Sequence, residues 1–146
     1  MRRVFVDTNV FVYAIGADHP YREPCRRVVE LIAAGSLLGE TSVEVVQEFA
    51  HVRGRRSGDW AEAAARAREI IGWCRPVHPF GEAELMRALD LLTRHVELTV
   101  RDAVHVATAL GQNIDAILSA DRHFDAIAGV ERIDPADDTG VRRLTR

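Results

Sequence analysis

The sequence predicts a single-domain α/β protein built on a parallel sheet, and three observations predict it. Apolar runs of strand length alternate with stretches of helical periodicity. The run Val4 to Val6 is apolar at every position, as in a strand buried on both faces of a parallel sheet. A chain of 146 residues, 47% hydrophobic and 28% charged, suits one globular core without a second domain.

Each element has its own local signal. Thr8 and Asn9 can start a first helix carrying Val10, Phe11, Tyr13 and Ala14. A second helix follows Pro20 through Val28, Val29, Leu31 and Ile32 and stops at Gly35. Leu37 to Gly39 reads as the second strand. Thr41 and Glu44 then form a capping-box pattern before a helix carrying Val45, Val46, Phe49 and Val52, closed by Gly58. An Ala-rich helix runs from Asp59 to Trp73, Val77 marks a short strand between two prolines, and Glu82 to His95 forms another helix. Thr99, with Asp102 as its capping-box acid, opens the helix of "TVRDAVHVATAL". Ala116 to Leu118 is the next strand, Arg122 to Ile127 a turn of helix, and Val130 to Ile133 a final edge strand. The domain is expected over residues 1–135, with 136–146 as a polar tail.

Composition removes several classes of function. All 19 basic residues are Arg, so the chain has neither a Walker A phosphate loop nor a Schiff-base lysine. Cys25 and Cys74 stand alone, without zinc spacing, and read as buried thiols. The apolar run Val10 to Ile15 is too short to span a bilayer, and Arg2 and Arg3 do not head a signal peptide, so a cytoplasmic protein is expected. With a net charge of −3, nucleic acid would have to meet a local patch such as Arg53, Arg55 and Arg56.

The acids carry the chemistry. Ligands of an open parallel sheet bind outside the carboxyl ends of its strands. Asp7 is the first residue after one strand, and Asp121 follows "ILSA" in the same way. Asp102 lies in the first turn of a helix that leads into a strand, which places it at the same edge. Glu48 lies one turn deeper in its helix, roughly 6 Å along the axis at 1.5 Å per residue, within reach of that edge. Each acid also has a structural reading: a cap for Asp7 and Asp102, a turn for Asp121. Glu48 is the telling one, because Val45, Phe49 and Val52 flank it on the apolar face. Four carboxylates at one edge repel one another, by about 1 to 4 kcal/mol per pair at about 4 Å, unless they share protons or a cation. Oxygen ligands with room for water suit Mg²⁺ or Mn²⁺, ions that support phosphodiester hydrolysis. His105 and His123 read as packing or surface residues.

Four segments, "FVDTNVFVYA", "TSVEVVQEFAHV", "TVRDAVHVATAL" and "AILSADRHFD", resemble in order and spacing the signature segments of PIN-domain nucleases, most closely the VapC toxins. That resemblance implies a five-stranded parallel sheet of order 3-2-1-4-5 flanked by helices. It also implies Mg²⁺-dependent cleavage of structured RNA such as tRNA or rRNA, a homodimer, and inhibition by a VapB-type antitoxin. It places the acidic quartet on Asp7, Glu48, Asp102 and Asp121, with Thr8 and Ser119 as neighbouring substrate-positioning hydroxyls and Asp125 as a further acid. In the expected mechanism Asp7, Asp102 and Asp121 hold the ion, while Glu48 orients or deprotonates the attacking water. A phospho-receiver domain also gathers acids at such an edge, but its required Lys is absent. The remaining alternative is a non-catalytic PIN-like module that binds RNA or protein.

Overall fold

The computed structural model describes residues 1–145. Five strands, β1 (Arg3–Val6), β2 (Leu38–Ser42), β3 (Val77–His78), β4 (Ala116–Leu118) and β5 (Glu131–Ile133), form one parallel sheet of order β3-β2-β1-β4-β5. This is the order that the sequence resemblance implies. The all-apolar run takes the central place, because only there are both faces of a strand covered: Val4, Phe5 and Val6 are fully buried. Its pairing aligns Val4 with Gly39 on one side and Phe5 with Ile117 on the other.

The helices are α1 (Thr8–Ile15), α2 (Arg22–Ala33), α3 (Val43–Ser57), α4 (Trp60–Trp73), α5 (Glu82–Arg94), α6 (Val100–Gly111) and α7 (Asp138–Leu144). A 3₁₀ turn spans Arg122–Ala126. Helix α1 packs on α2 and α3, α3 packs on α4, and α5 packs on α6. Gly58, at φ 71°, ends α3 in the left-handed conformation that glycine adopts without a steric penalty. No helix among the described residues is long and apolar enough to cross a membrane. Cys25 and Cys74 are buried and unpaired, and burial pushes both thiols up to about 12.

Three local expectations are corrected. The second strand runs on through Glu40, Thr41 and Ser42, all buried. The side chains of Glu40 and Thr41 find partners on neighbouring strands, which hydropathy along one strand cannot register. Thr41 therefore does not cap α3: its hydroxyl donates to the Val6 carbonyl at 3.1 Å. Ser42 is the cap, accepting the Val45 N–H at 3.2 Å, so Glu44 is a first-turn acid with no capping-box partner. The polar tail holds α7, capped by Asp137, whose Val141 and Leu144 are buried in the core.

Glu40 is the charged member of the sheet interior, 6% exposed. Arg3 Nε and Nη2 donate to its two oxygens at 2.6 and 3.0 Å, and His78 Nε2 lies 2.6 Å from Oε2. Burial alone would raise this carboxyl, but the hydrogen bonds and charges of Arg3 and His78 outweigh it and hold Glu40 below its ordinary 4.5. A depressed carboxyl stabilises the fold above its unfolded pKa and loses that contribution as pH falls through the folded one. Glu40→Gln should therefore melt below wild type at pH 6 to 7, and the two melting curves should converge as pH falls below about 4.5. A constant gap across that range, in melting followed by circular dichroism, would deny Glu40 this role.

Candidate active site

Strand order reverses at β1, which has β2 on one side and β4 on the other. The carboxyl ends of β1 and β4 are joined there by the Asp7 N–H donating to the Leu118 carbonyl at 3.1 Å. A crevice opens where the chain departs in two directions, and Asp7 stands in it. Asp7 is the N-cap of α1. Its Oδ1 accepts the Thr8 N–H at 2.8 Å, and its Oδ2 accepts from Asn9 Nδ2 at 3.0 Å and Ser119 Oγ at 2.7 Å. Only 4% exposed, its carboxyl is raised from 3.8 to about 6, because burial outweighs the charge of His105 and these hydrogen bonds.

Glu48 reaches back from the second turn of α3. Its Oε2 accepts from Thr8 Oγ1 at 3.0 Å and lies 2.9 Å from His105 Nε2, while Arg101 Nη1 stands 3.9 Å from Oε1. Burial would raise Glu48, but His105, Thr8 and Arg101 together hold it below its ordinary range. His105 is 2% exposed, and its Nδ1 has no partner among the described residues. Burial would lower this imidazole, yet Glu48 and Asp7 hold it above its ordinary value. The expectation that His105 only packs is thus incomplete: it packs near Phe5, and its free edge anchors an acid.

Asp102 and Asp121 come together at the mouth with His123. Each of the three offers a ligand atom, and these atoms lie within 4.8 Å of one another. Thr99 caps α6 through the Asp102 N–H at 3.2 Å, as the sequence predicts. Burial, with the charge of Asp121 adding to it, raises the Asp102 carboxyl against the opposing pull of Thr99 and His105. All four expected acids line one cavity of about 280 Å³. Its donors are mainly hard carboxylate oxygens, and burial resists ionisation of two of them. Such a set fits a divalent cation, which would keep both ionised without protons.

The other expected residues are placed as follows. The Thr8 hydroxyl is spent on Glu48. Ser119 is fully buried, and its Oγ also meets Asn9 and the Asp121 N–H at 3.0 Å each, so both hydroxyls position acids. Arg53 is paired with Glu62 at 2.9 and 3.1 Å, whereas Arg56 lines the acid cavity and Arg55 is exposed at the end of α3. Asp125 is held by Arg132 at 2.7 Å and does not line that cavity. Sequence reasoning missed Asn9, Arg101 and the working role of His105. A signal for the last existed: His105 is three residues past Asp102, amid Val and Ala, where an imidazole is out of place unless bonded.

A parallel sheet with this strand order and an acidic cavity at the central strand's end defines a class, and comparison with known proteins agrees. Residues 4–130 match the PIN domain family. The chain is 41% identical over 133 residues to ribonuclease VapC7 of Mycobacterium tuberculosis, covering 90% of this chain and 91% of that protein. It is 32% identical over 134 residues to ribonuclease VapC13 of the same organism, covering 89% and 98%. Among solved structures, VapBC2 of Rickettsia felis bound to a promoter DNA fragment aligns with TM-score 0.69 at 15% identity, covering 90% of this chain and 97% of that one. Mycobacterium tuberculosis VapC20, described as a sarcin-ricin loop cleaving toxin, aligns with TM-score 0.68 at 24% identity, covering 88% and 98%. The last two likenesses speak for the fold alone. The chain belongs to the PIN-domain family and, within it, to the VapC group.

A raised carboxyl has a definite sign in stability. The contribution of Asp7 is fully present below 3.8 and is lost as pH rises through about 6. Measured in EDTA, wild type should therefore lose stability relative to Asp7→Asn between pH 4 and 7, by about 3 kcal/mol in all. Parallel stability curves for the two proteins would show that Asp7 titrates normally.

Proposed function

We propose that this protein is a toxin-type endoribonuclease that hydrolyses phosphodiester bonds in structured RNA, such as tRNA or rRNA, and is silenced by a VapB-type antitoxin. The working ion in this reading is Mg²⁺, with Mn²⁺ able to replace it, held by Asp7, Asp102 and Asp121. When bound, such an ion neutralises the phosphate and lowers the cost of forming hydroxide near neutral pH.

The observation that carries the reading is the asymmetry of Glu48. One of its oxygens is fixed by Thr8 and His105, which leaves Oε1 without a hydrogen bond among the described residues, on a side chain that lines the acid cavity. A depressed, positioned carboxylate can orient a water and take its proton as the water oxygen attacks phosphorus and the P–O bond to the leaving oxygen breaks. His105 then stabilises the protonated acid's position without touching substrate. Asp7, held by Asn9 and Ser119, keeps its place whether or not it is ionised. Arg56 lines the acid cavity and Arg101 stands 3.9 Å from Glu48, so both guanidinium groups would meet the RNA backbone. Exposed Leu85, Met86 and Leu89 on α5 offer apolar surface for the contact of a homodimer.

Purified protein should cleave RNA with Mg²⁺ and not with EDTA, and Glu48→Gln and Asp7→Asn should each cut the rate by about 10²-fold or more. Mapping of cleaved ends in total RNA checks this. Cleavage that persists in EDTA would remove the ion from the reaction. Binding of RNA without cleavage in any divalent ion would favour the non-catalytic alternative.

A further inference from the structure

A second cavity, of about 330 Å³, lies between the first three turns of α3 and the start of α6, and shares Glu48 with the acid cavity. Four positions of α3, at 44, 47, 48 and 51, form one face of that helix, and 100, 101, 104 and 105 form the facing side of α6. Glu48 is the partition. Whatever lies in this groove therefore sits beside the phosphate that the acids would hold.

We infer that the groove is a base-binding subsite that takes a guanine next to the scissile phosphate, an inference that rests on reading the chain as an RNA nuclease. The groove wall formed by Val100 and Val104, one turn apart on α6, is apolar and suits the flat face of a base. Glu44 is half-buried, and its carboxylate makes no hydrogen bond among the described residues. A free carboxylate accepts two hydrogen bonds side by side and donates none. Guanine alone presents two adjacent donors, N1–H and the N2 amino group, on its pairing edge. Adenine and cytosine each set one amino group beside a ring-nitrogen acceptor that would repel the carboxylate, and uracil sets one N–H between two carbonyls. Single-stranded RNA is read in this way, by hydrogen bonds to splayed bases.

The surroundings favour a nucleotide over a basic protein side chain. Arg101 lies at the partition, 3.9 Å from Glu48 Oε1, where it would meet the linking phosphate and repel an incoming guanidinium. At the other end His51 and the 56% exposed Trp60, ring centroids 6.4 Å apart, offer aromatic faces for the following base. Gly54 leaves the space in which the Trp60 ring lies against α3.

The test is binding without cleavage. Fluorescein-labelled pentaribonucleotides of uridine, with guanosine, inosine or adenosine at the centre, are titrated with the protein in EDTA by fluorescence anisotropy. The repulsion between acids and phosphates is common to all three and cancels in the ratio. Guanosine should bind about tenfold tighter than inosine, which lacks the N2 amino donor, and than adenosine, and Glu44→Gln should bring both ratios close to one. Equal affinities in wild type would overturn the inference, as would ratios that survive in Glu44→Gln. Displacement of the guanosine oligonucleotide by N-acetylarginine amide, with no preference among the three bases, would instead give the groove to a basic protein segment. Guanine selectivity in a protein that cleaves nothing would reject the nuclease reading and leave the groove a guanine-binding site with no scissile phosphate beside it.

Discussion

The structure turns on a carboxylate buried at the end of its central strand. Asp7 follows three fully buried apolar residues and is itself 4% exposed, a position that disfavours a charge unless the surroundings supply donors. They come from three places: the first turn of α1 through Thr8 and Asn9, the end of β4 through Ser119, and the field of His105. Asn9 also accepts the Ala120 N–H at 3.2 Å, so the same side chain ties α1 to the loop that carries Asp121. Satisfying Asp7 thus fixes α1 against the segment that supplies Asp121.

The site sorts its acids by environment. Asp7 and Asp102 are held above their ordinary range by burial, whereas Glu48 is held below it by the imidazole, hydroxyl and guanidinium around it. Groups of one chemical kind are pushed in opposite directions, and in the function proposed above the raised pair would hold the cation while Glu48, ionised at neutral pH, would orient the water. His105 couples the two sets. Its Nε2 lies 2.9 Å from Glu48 and 4.0 Å from Asp7, on a ring otherwise enclosed by the core.

Part of the charge elsewhere is spent within the fold. Arg3, Arg53 and Arg132 are paired with Glu40, Glu62 and Asp125. With a net charge of −3 the chain carries no overall positive field to draw in a polyanion. Arg56 and Arg101, placed beside the acids, therefore count for more than the total of basic residues suggests.

The sequence by itself determined the parallel α/β class, the extents of most helices and the four acids, because burial on both faces, helical period and strand-end position are written locally along the chain. The cap of α6 and the glycine stop of α3 were legible for the same reason. What only the tertiary structure decided are matters of partnership across the sheet and between helices. Glu40 and Thr41 fall outside the expected strand because their polarity is answered by Arg3, His78 and Val6, residues up to 38 positions away. Thr41 is the expected cap of α3, but its hydroxyl meets the Val6 carbonyl and Ser42 caps instead. Val141 and Leu144 looked like part of a polar tail, since two apolar residues among charges have no period long enough to announce a helix. His105 looked like packing, and Ser119 like a hydroxyl free for substrate, because a side chain's direction depends on what lies opposite it. Periodicity reports which face a residue occupies, and only the folded chain supplies the group that its polar atoms must meet.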